Sequence, residues 1–276
     1  MGLLGRLALA GLGAAAAGAA AQAIAASIVA KDLERTNFRG RTVSLAGGPA
    51  LAASASLTSA LGARDGRTAA AALVAGLGSG AVGLYDDIAG MRPEQKAYKG
   101  FRGHLEGLKE GRVTSGLAKI AGVGSAAVIA SAMLPNEKRG LARAVDVALG
   151  AGVIAGMANL LNLLDLRPGR ALKVGAVIGA PLALGKAGGV AAGPTGAAVG
   201  LLPQDLDEEI MLGDAGANSL GALLGVSIAA KSGAFVKAGL LAVITGLTLA
   251  SEKVSFTKVI ERTPVLREID EWGRRS

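Results

Sequence analysis

Residues 69–87 read AAAALVAGLGSGAVGLYDD. No charged residue interrupts this apolar segment before Asp86 and Asp87, so it is long enough to cross a bilayer. Its glycines would weaken a helix in water, but small residues let helices approach closely in lipid. The segment predicts a tightly packed membrane helix that ends in two adjacent carboxylates where it meets water.

The rest of the chain has the same apolar character. Of its 276 residues, 51% are hydrophobic, only 3% are aromatic and 43 are glycine, and the mean hydropathy is +0.47. This composition suits lipid better than a water-soluble core. The absence of cysteine and the single histidine exclude disulfides and zinc sites built on Cys or several His, so any metal must be held by oxygen.

The apolar segments predict one all-α domain, residues 1–276, built as a polytopic bundle of transmembrane helices. No internal repeat and no soluble domain of ordinary size is visible in it. We leave open whether it forms a homodimer. Nine spans are predicted, near residues 3–30, 43–62, 68–85, 117–134, 141–161, 171–185, 188–203, 217–231 and 234–250.

The distribution of positive charge predicts the orientation. Together with Lys119, the polar segments on one side of the map hold 20 of the 29 Lys and Arg residues. The richer side is expected to face the cytosol, which puts the N-terminus outside and the C-terminus inside. The net charge of +8 then reflects orientation and lipid contact rather than nucleic-acid binding. The five cytosolic segments are residues 31–42, 86–116, 162–173, 204–216 and 251–276.

The last of these segments, residues 251–276, is predicted to be an amphipathic tail. Thr263 and Pro264 fit the N-cap and the first position of a helix. Leu266, Ile269 and Trp272 then line one face, and charged residues occupy the remainder. We expect this helix to lie along the membrane surface as an anchor.

Two polar clusters fall at the predicted cytosolic boundary of membrane helices. Asp86 and Asp87 are costly there unless they serve an ion or substrate, although a solvated helix end would also explain them. Asn159, Asn162 and Asp165 recur at every third position and are expected to share one helical face. Such amides suit a nucleoside or sugar, and hydrogen bonding between helices is an equal alternative.

Two further features point to phosphate chemistry. Asp214 lies between glycines in Gly213-Asp214-Ala215-Gly216, just before a predicted helix. Such a turn offers backbone N–H groups to an anion, while its carboxylate can hold a bridging cation. Arg167 and Arg170 follow the amide cluster and could clamp a phosphate or bind lipid headgroups.

Taken together and in this order, these segments resemble the polyprenyl-phosphate N-acetylhexosamine-1-phosphate transferases, the membrane superfamily that includes phospho-N-acetylmuramoyl-pentapeptide translocase. The resemblance covers most of the chain up to about residue 250. The matching residues are Asp86 and Asp87, Asn159, Asn162 and Asp165, Gly213, Asp214 and Gly216, and Lys119, which is similar to the family's lysine after the paired-aspartate loop.

The resemblance implies transfer of a sugar-1-phosphate from a UDP-sugar to a polyprenyl phosphate, with release of UMP. It implies a multi-pass protein of the bacterial cytoplasmic membrane, with its active site facing the cytosol, that serves cell-wall or surface-polysaccharide synthesis. Mg²⁺ would be held by Asp214 with Asp87, and Asp86 would act as an orienting group or weak base beside Asp87 in the catalytic pair. Lys119 and the amide cluster would bind substrate.

Several departures from the family pattern limit these expectations. Pro168 stands where the family has a second Asp, and a His-rich last cytosolic loop and a tenth span are missing. We therefore expect a small donor such as a UDP-N-acetylhexosamine, with Arg167 and Arg170 on its diphosphate, and we do not expect His104 to be catalytic. The alternatives are a catalytically weakened homologue that binds lipid or acts as a scaffold, and a transporter, although transporter sites lie nearer the bilayer midplane.

Overall fold

A computed structural model describes residues 1–90 and 114–275 of the chain. Within these residues the structure is all-helical apart from a short hairpin, which confirms the predicted all-α class. The eleven α-helices of this part are α1 Leu3–Ala25, α2 Gly47–Leu61, α3 Gly66–Ala89, α4 Ser115–Met133, α5 Gly140–Leu164, α6 Arg170–Leu184, α7 Gly188–Leu206, α8 Gly213–Ala229, α9 Ala234–Ser251, α10 Phe256–Arg262 and α11 Pro264–Glu271.

Five of these helices, α1, α3, α4, α5 and α9, are long and apolar enough to cross a membrane. The other four predicted spans also form helices, but α2 and α6 have only 15 residues and α8 has 17. About 20 residues are needed to span the hydrocarbon layer. The described residues therefore fit a multi-pass membrane protein, while the count of nine spans and their orientation stay predictions.

Helix α8 forms the centre of the bundle. Every residue from Ala215 to Ala229 is buried, because the helix packs against α2, α3 and α5 and also contacts α6 and α7. Small residues allow this close packing. A side chain at Gly221 would collide with the backbone of Met157 and Ala158 on α5. The central helix begins at Gly213, so its N-terminus is held firmly at one end of the bundle.

Side-chain caps fix where the neighbouring helices begin. The Asp65 carboxylate accepts a hydrogen bond from the Thr68 N–H at 2.8 Å and so starts α3. The Thr114 hydroxyl accepts one from the Leu117 N–H at 3.2 Å and starts α4. Such caps satisfy N–H groups that lack a partner within the helix. They set the positions of Asp86 at the end of α3 and of Lys119 early in α4.

The chain between α1 and α2 forms a small hairpin at the same end of the bundle. Strands β1 Glu34–Thr36 and β2 Thr42–Ser44 pair antiparallel. Ser44 also pairs with Ile210 in the segment that precedes α8. The hairpin therefore lies beside the N-terminus of the central helix.

The C-terminal tail folds as α10 and α11, and Pro264 stands at the first position of α11, as the sequence predicts. Leu266, Ile269 and Trp272 are exposed by 44%, 57% and 73%. Asp270, by contrast, is buried against the start of α6. The apolar face of the tail is thus free to contact a membrane surface, while one carboxylate holds it to the bundle.

Candidate active site

The predicted aspartate pair lies in the last turn of α3, which continues beyond it to Ala89 rather than ending before it. Asp87 accepts hydrogen bonds from the Asp214 N–H at 2.9 Å and the Ala215 N–H at 3.0 Å. It therefore caps the N-terminus of α8, where unpaired N–H groups favour a negative charge. Gly213 makes this possible, because it has φ +59° and any side chain there would strike the Asp87 carboxylate.

Lys119 joins the two other predicted carboxylates. Its Nζ lies 3.0 Å from Asp86 Oδ2 and 2.5 Å from Asp214 Oδ2. The three side chains are each less than a quarter exposed, so each charge depends on its partners rather than on water. Residues from α3, α4 and α8, far apart in the sequence, thus form one ion cluster in which two acids share one lysine.

Asp165 adds a further carboxylate to this end of the bundle. It follows the last residue of α5 and accepts a hydrogen bond from the Gly213 backbone. Its pKa is raised well above the usual value, first by desolvation and then by the nearby charges of Asp205, Asp214 and Asp87. Carboxyl groups therefore crowd this end of the bundle, and a bound cation would stabilise their ionised forms.

Carboxylate oxygens such as these are the type of ligand that Mg²⁺ prefers. Among residues 1–90 and 114–275, however, no three His, Asp or Glu side chains are grouped as metal ligands. Both oxygens of Asp87 already accept backbone N–H groups, so Asp87 is placed as a helix cap. Asp86 and Asp214 fit a shared cation better, because Lys119 already bridges them.

A groove of about 300 Å³ runs from Lys119 between α4, α5, α8 and α9. Asn159 lines it and donates to the Thr248 hydroxyl of α9 at 3.2 Å. Asn218 also lines it, with a buried Nδ2 that has no hydrogen-bond partner among the described residues. Asn218 was not singled out from the sequence as a site residue, although a lone amide in an otherwise apolar helix is a usable signal.

The structure separates the predicted amide cluster. Asn159 lines the groove beside α9, whereas Asp165 lines a second cavity on the other side. Each three-residue step along a helix falls about 60° short of a full turn, and α5 ends at Leu164. The half-buried Asn162 lies between them on the same helix. The three side chains therefore do not point together as expected.

The second cavity has a volume of about 230 Å³ and lies between the hairpin loop and the segment after α5. The Arg167 guanidinium stacks over the Phe38 ring at 4.5 Å from its centre. Asp165 and Glu208 also line the cavity, and the Asn37 amide donates a hydrogen bond to Glu208 Oε2 at 2.5 Å. The hairpin is tied to the aspartate pair as well, because Arg35 donates to the Asp87 carbonyl at 3.1 Å.

Arg170 is not placed to bind a donor phosphate. It is only 3% exposed, and its guanidinium donates to both oxygens of Asp270 at 2.7 and 2.8 Å. It also donates to the Thr257 hydroxyl at 3.0 Å. The prediction for Arg170 is thus corrected: with its charge paired, it holds the tail, whereas Arg167 remains at the second cavity.

The tail contact involves residues that the sequence reading missed. Lys173 donates to the carbonyls of Ile269, Asp270 and Trp272, where a cation satisfies the last carbonyls of α11. Burial alone would raise the pKa of Asp270, but its hydrogen bonds from Arg170 and Arg274 outweigh this and lower it. No spacing along the chain relates α6 to α11, so only the fold reveals this pairing.

No family model matches the chain, and no curated protein matches it. The function is therefore inferred from the geometry of this site and from the motifs in the sequence. His104 lies outside the described residues, as does the greater part of the predicted segment 86–116.

Proposed function

We propose that the protein is a membrane transferase that moves a sugar-1-phosphate from a UDP-sugar to a polyprenyl phosphate, forming a polyprenyl-diphosphate-sugar and releasing UMP. We place it in the bacterial cytoplasmic membrane with its site facing the cytosol. One observation carries the proposal: the ion cluster of Lys119, Asp86 and Asp214 stands at the polar end of an apolar groove.

The groove suits an acceptor with one charged end and a long hydrocarbon chain. Its apolar wall includes Ile120, Val123, Leu241, Ile244 and Leu249. Ile120 and Leu249 are exposed by 54% and 63%, so the wall is continuous with the lipid-facing surface. Helix α9 packs mainly against α5, which leaves the gap between α9 and α4 open from the side. A polyprenyl chain would lie along this wall with its phosphate at Lys119.

The chemistry needs an anionic oxygen to attack an anionic diphosphate. The second pKa of a phosphate monoester is about 6, so the acceptor is largely ionised at neutral pH and needs no strong base. Lys119 would donate to the acceptor phosphate, while Asp86 and Asp214 orient its ammonium group. An acceptor oxygen bonds to the β-phosphorus of the donor, the bond from that phosphorus to the bridging oxygen breaks, and UMP leaves with the electron pair.

Mg²⁺ would supply neutralisation of the donor diphosphate, held by the oxygens of Asp86 and Asp214 that do not contact Lys119. Asp87 would then act indirectly, without contacting the metal. By capping α8 it fixes the backbone position of Asp214, so its contribution is to hold a ligand in place. This differs from the direct metal contact that the resemblance implies for Asp87.

The second cavity is our candidate for the donor. It opens next to Asp165, and its stacked Phe38 and Arg167 present an aromatic ring and a planar cation. Both groups suit a nucleotide, the ring by stacking and the guanidinium by hydrogen bonding to phosphate. A volume of about 230 Å³ has room for only part of a UDP-sugar, such as its nucleotide end, and none for a peptide on the donor.

The test is UMP release by the full chain in nanodiscs, supplied with a polyprenyl phosphate, Mg²⁺ and a panel of UDP-N-acetylhexosamines. Release should require both substrates and the metal. The matched control variant is Lys186→Ala, because it removes one exposed lysine away from the site. Absence of UMP with every donor, from protein that unfolds cooperatively, would refute the transferase.

A second candidate is a protein that binds the lipid without turning it over. Pro168 in place of an acidic residue and the closed pairing of Lys119 with two carboxylates favour it. This protein would bind polyprenyl phosphate in the groove and release no UMP. Binding measured alongside the UMP assay separates the two functions.

A further inference from the structure

A second cluster of buried charge lies at the opposite end of the bundle. The central helix α8 has 17 residues and is therefore about 25 Å long. Beyond its C-terminal end, a cavity of about 330 Å³ opens between the α4–α5 and α8–α9 connections. Its charged lining residues are Lys138, Lys231, Lys237 and Asp146. Asp146 is the sole carboxylate among the described residues of this lining, so the cavity has excess positive charge.

Two of the lysines converge on that carboxylate. Lys138 Nζ lies 2.7 Å from Asp146 Oδ1, and Lys237 Nζ lies 3.0 Å from Oδ2. The Lys237 and Asp146 side chains are only 4% and 9% exposed. An ammonium group has three donors, and the contact with Asp146 uses one of them. Both lysines also line the cavity, so their other donors are available to an anion bound there.

A purely structural ion pair would not need this arrangement. Burying Lys237 requires one counter-charge, and Asp146 supplies it. Lys138 then adds a second positive charge to the same carboxylate, and Lys231 adds a third on the exposed rim. Nothing in the pairing itself requires the second and third lysines, whereas a bound anion would be stabilised by both.

Exposed apolar side chains near the cavity indicate what kind of molecule would carry the anionic group. Leu141 at the start of α5 is 81% exposed, and Phe235 at the start of α9 is 92% exposed. These side chains lie in the first turns of the two helices that supply Asp146 and Lys237. Apolar surface of this kind belongs next to lipid chains, and lysines at a bilayer surface attract anionic headgroups.

We infer that this cavity binds a phosphate group, with the phosphodiester of an anionic phospholipid as the ligand that the exposed apolar side chains at these two helix starts favour. The site is independent of the proposed transferase, because it is built from other residues at the other end of α8. It would hold one lipid of the leaflet that faces this end of the bundle.

The experiment titrates the full chain in a neutral detergent with phosphatidylglycerol, with phosphatidylcholine and with inorganic phosphate, and follows the unfolding temperature. Phosphatidylglycerol should raise it, and phosphatidylcholine should not. The informative variant is Lys231→Gln, because Lys231 is exposed and its loss leaves the buried pair intact. It should weaken phosphatidylglycerol binding about fivefold, since a lysine near a membrane surface is worth about that factor.

Lys138→Gln should weaken binding by a similar factor, and Lys186→Gln is the matched control, because this exposed lysine does not line the cavity. If inorganic phosphate binds with the same dependence on Lys231 and the phospholipid does not, the site is a phosphate site and the lipid assignment fails. If no probe binds, or if Lys231→Gln and Lys186→Gln behave alike, the inference is wrong. None of these readouts depends on transferase activity.

Discussion

The two ends of the helix bundle carry ion clusters of opposite balance. At one end, two acids, Asp86 and Asp214, share Lys119. At the other, two lysines, Lys138 and Lys237, share Asp146. Both clusters link the central bundle to neighbouring helices, so either could be purely structural. The sign of the unpaired charge distinguishes them: the first favours a cation and the second an anion.

The largest effect should come from removing the shared lysine at the first end. Lys119→Ala should lower UMP release about 100- to 1,000-fold, since a donor aimed at a phosphate contributes about that factor. The measurement is initial rate at saturating donor and acceptor. Lys186→Ala removes the same charge from an exposed position and should keep full activity. Equal losses in both variants would contradict the assignment of Lys119.

A third ion cluster, in which Arg170 and Arg274 pair with Asp270, attaches the tail to the bundle, and we expect its role to be structural. Arg170→Ala leaves Asp270 buried with Arg274 as its remaining partner, and breaking such a pair costs about 3 kcal/mol. Trp272 is the chain's only tryptophan and lies at the end of α11, so its fluorescence reports release of the tail.

The control for this variant is Arg170→Met with Asp270→Leu, which removes both charges and should keep the tail docked. Arg167→Ala removes only one loose contact with the tail, a pair with the half-exposed Glu261 at 3.7 Å, and should leave the fluorescence unchanged. If Arg170→Ala instead raises the donor KM with the tail docked, our original assignment of Arg170 to the donor would be right.

The Asp146 cluster at the other end of the bundle allows a matching prediction about stability. Asp146→Asn removes the shared carboxylate and leaves Lys237 buried without a counter-charge, which should cost about 3 kcal/mol. Lys138→Gln removes one of the two lysines, whose side chain is 40% exposed, and should cost less than about 1 kcal/mol. Unfolding in denaturing detergent measures both. Equal costs would mean that Asp146 is not the shared member of the cluster.

The acid sensitivity of tail docking follows from the lowered pKa of Asp270. A carboxyl group whose pKa is lower in the folded state stabilises that state above its unfolded pKa, and this contribution is lost as the pH falls through the folded value. Docking should therefore be constant near neutral pH and weaken below the ordinary value of 3.8. Trp272 fluorescence measured from pH 7 downward checks this, and Asp270→Asn should remove the transition.

The helices were predictable because each follows from a local pattern. Predicted spans 171–185 and 234–250 correspond to α6 Arg170–Leu184 and α9 Ala234–Ser251, since each is an apolar run interrupted by a single lysine near its start. The sequence reading also selected the acids and the lysine that meet at the N-terminus of α8. Their motifs are local, so each was visible without knowledge of the fold.

The pairing between distant segments was not predictable. Arg170 and Asp270 are 100 residues apart, and Arg170 was assigned to phosphate because free guanidinium groups near a site suggest it. The capping role of Asp87 likewise depends on where α8 begins in space. The amide cluster failed for a geometric reason, since a three-residue spacing drifts around the helix and sends Asn159 and Asp165 to different cavities.

The smallest effect concerns Asn159, which lies where the first cluster meets the groove. Its amide donates to the Thr248 hydroxyl, a bond between helices that is worth about 0.6 kcal/mol in a membrane protein. Asn159→Ala should therefore unfold almost as wild type does. Because it loosens α9 beside Lys119, we expect the KM for polyprenyl phosphate to rise about threefold with the donor KM unchanged, since that bond energy corresponds to such a factor. Arg167→Ala should give the reverse pattern, because Arg167 lines the other cavity. A rise in donor KM for Asn159→Ala would place the donor in the groove and exchange the two substrate assignments.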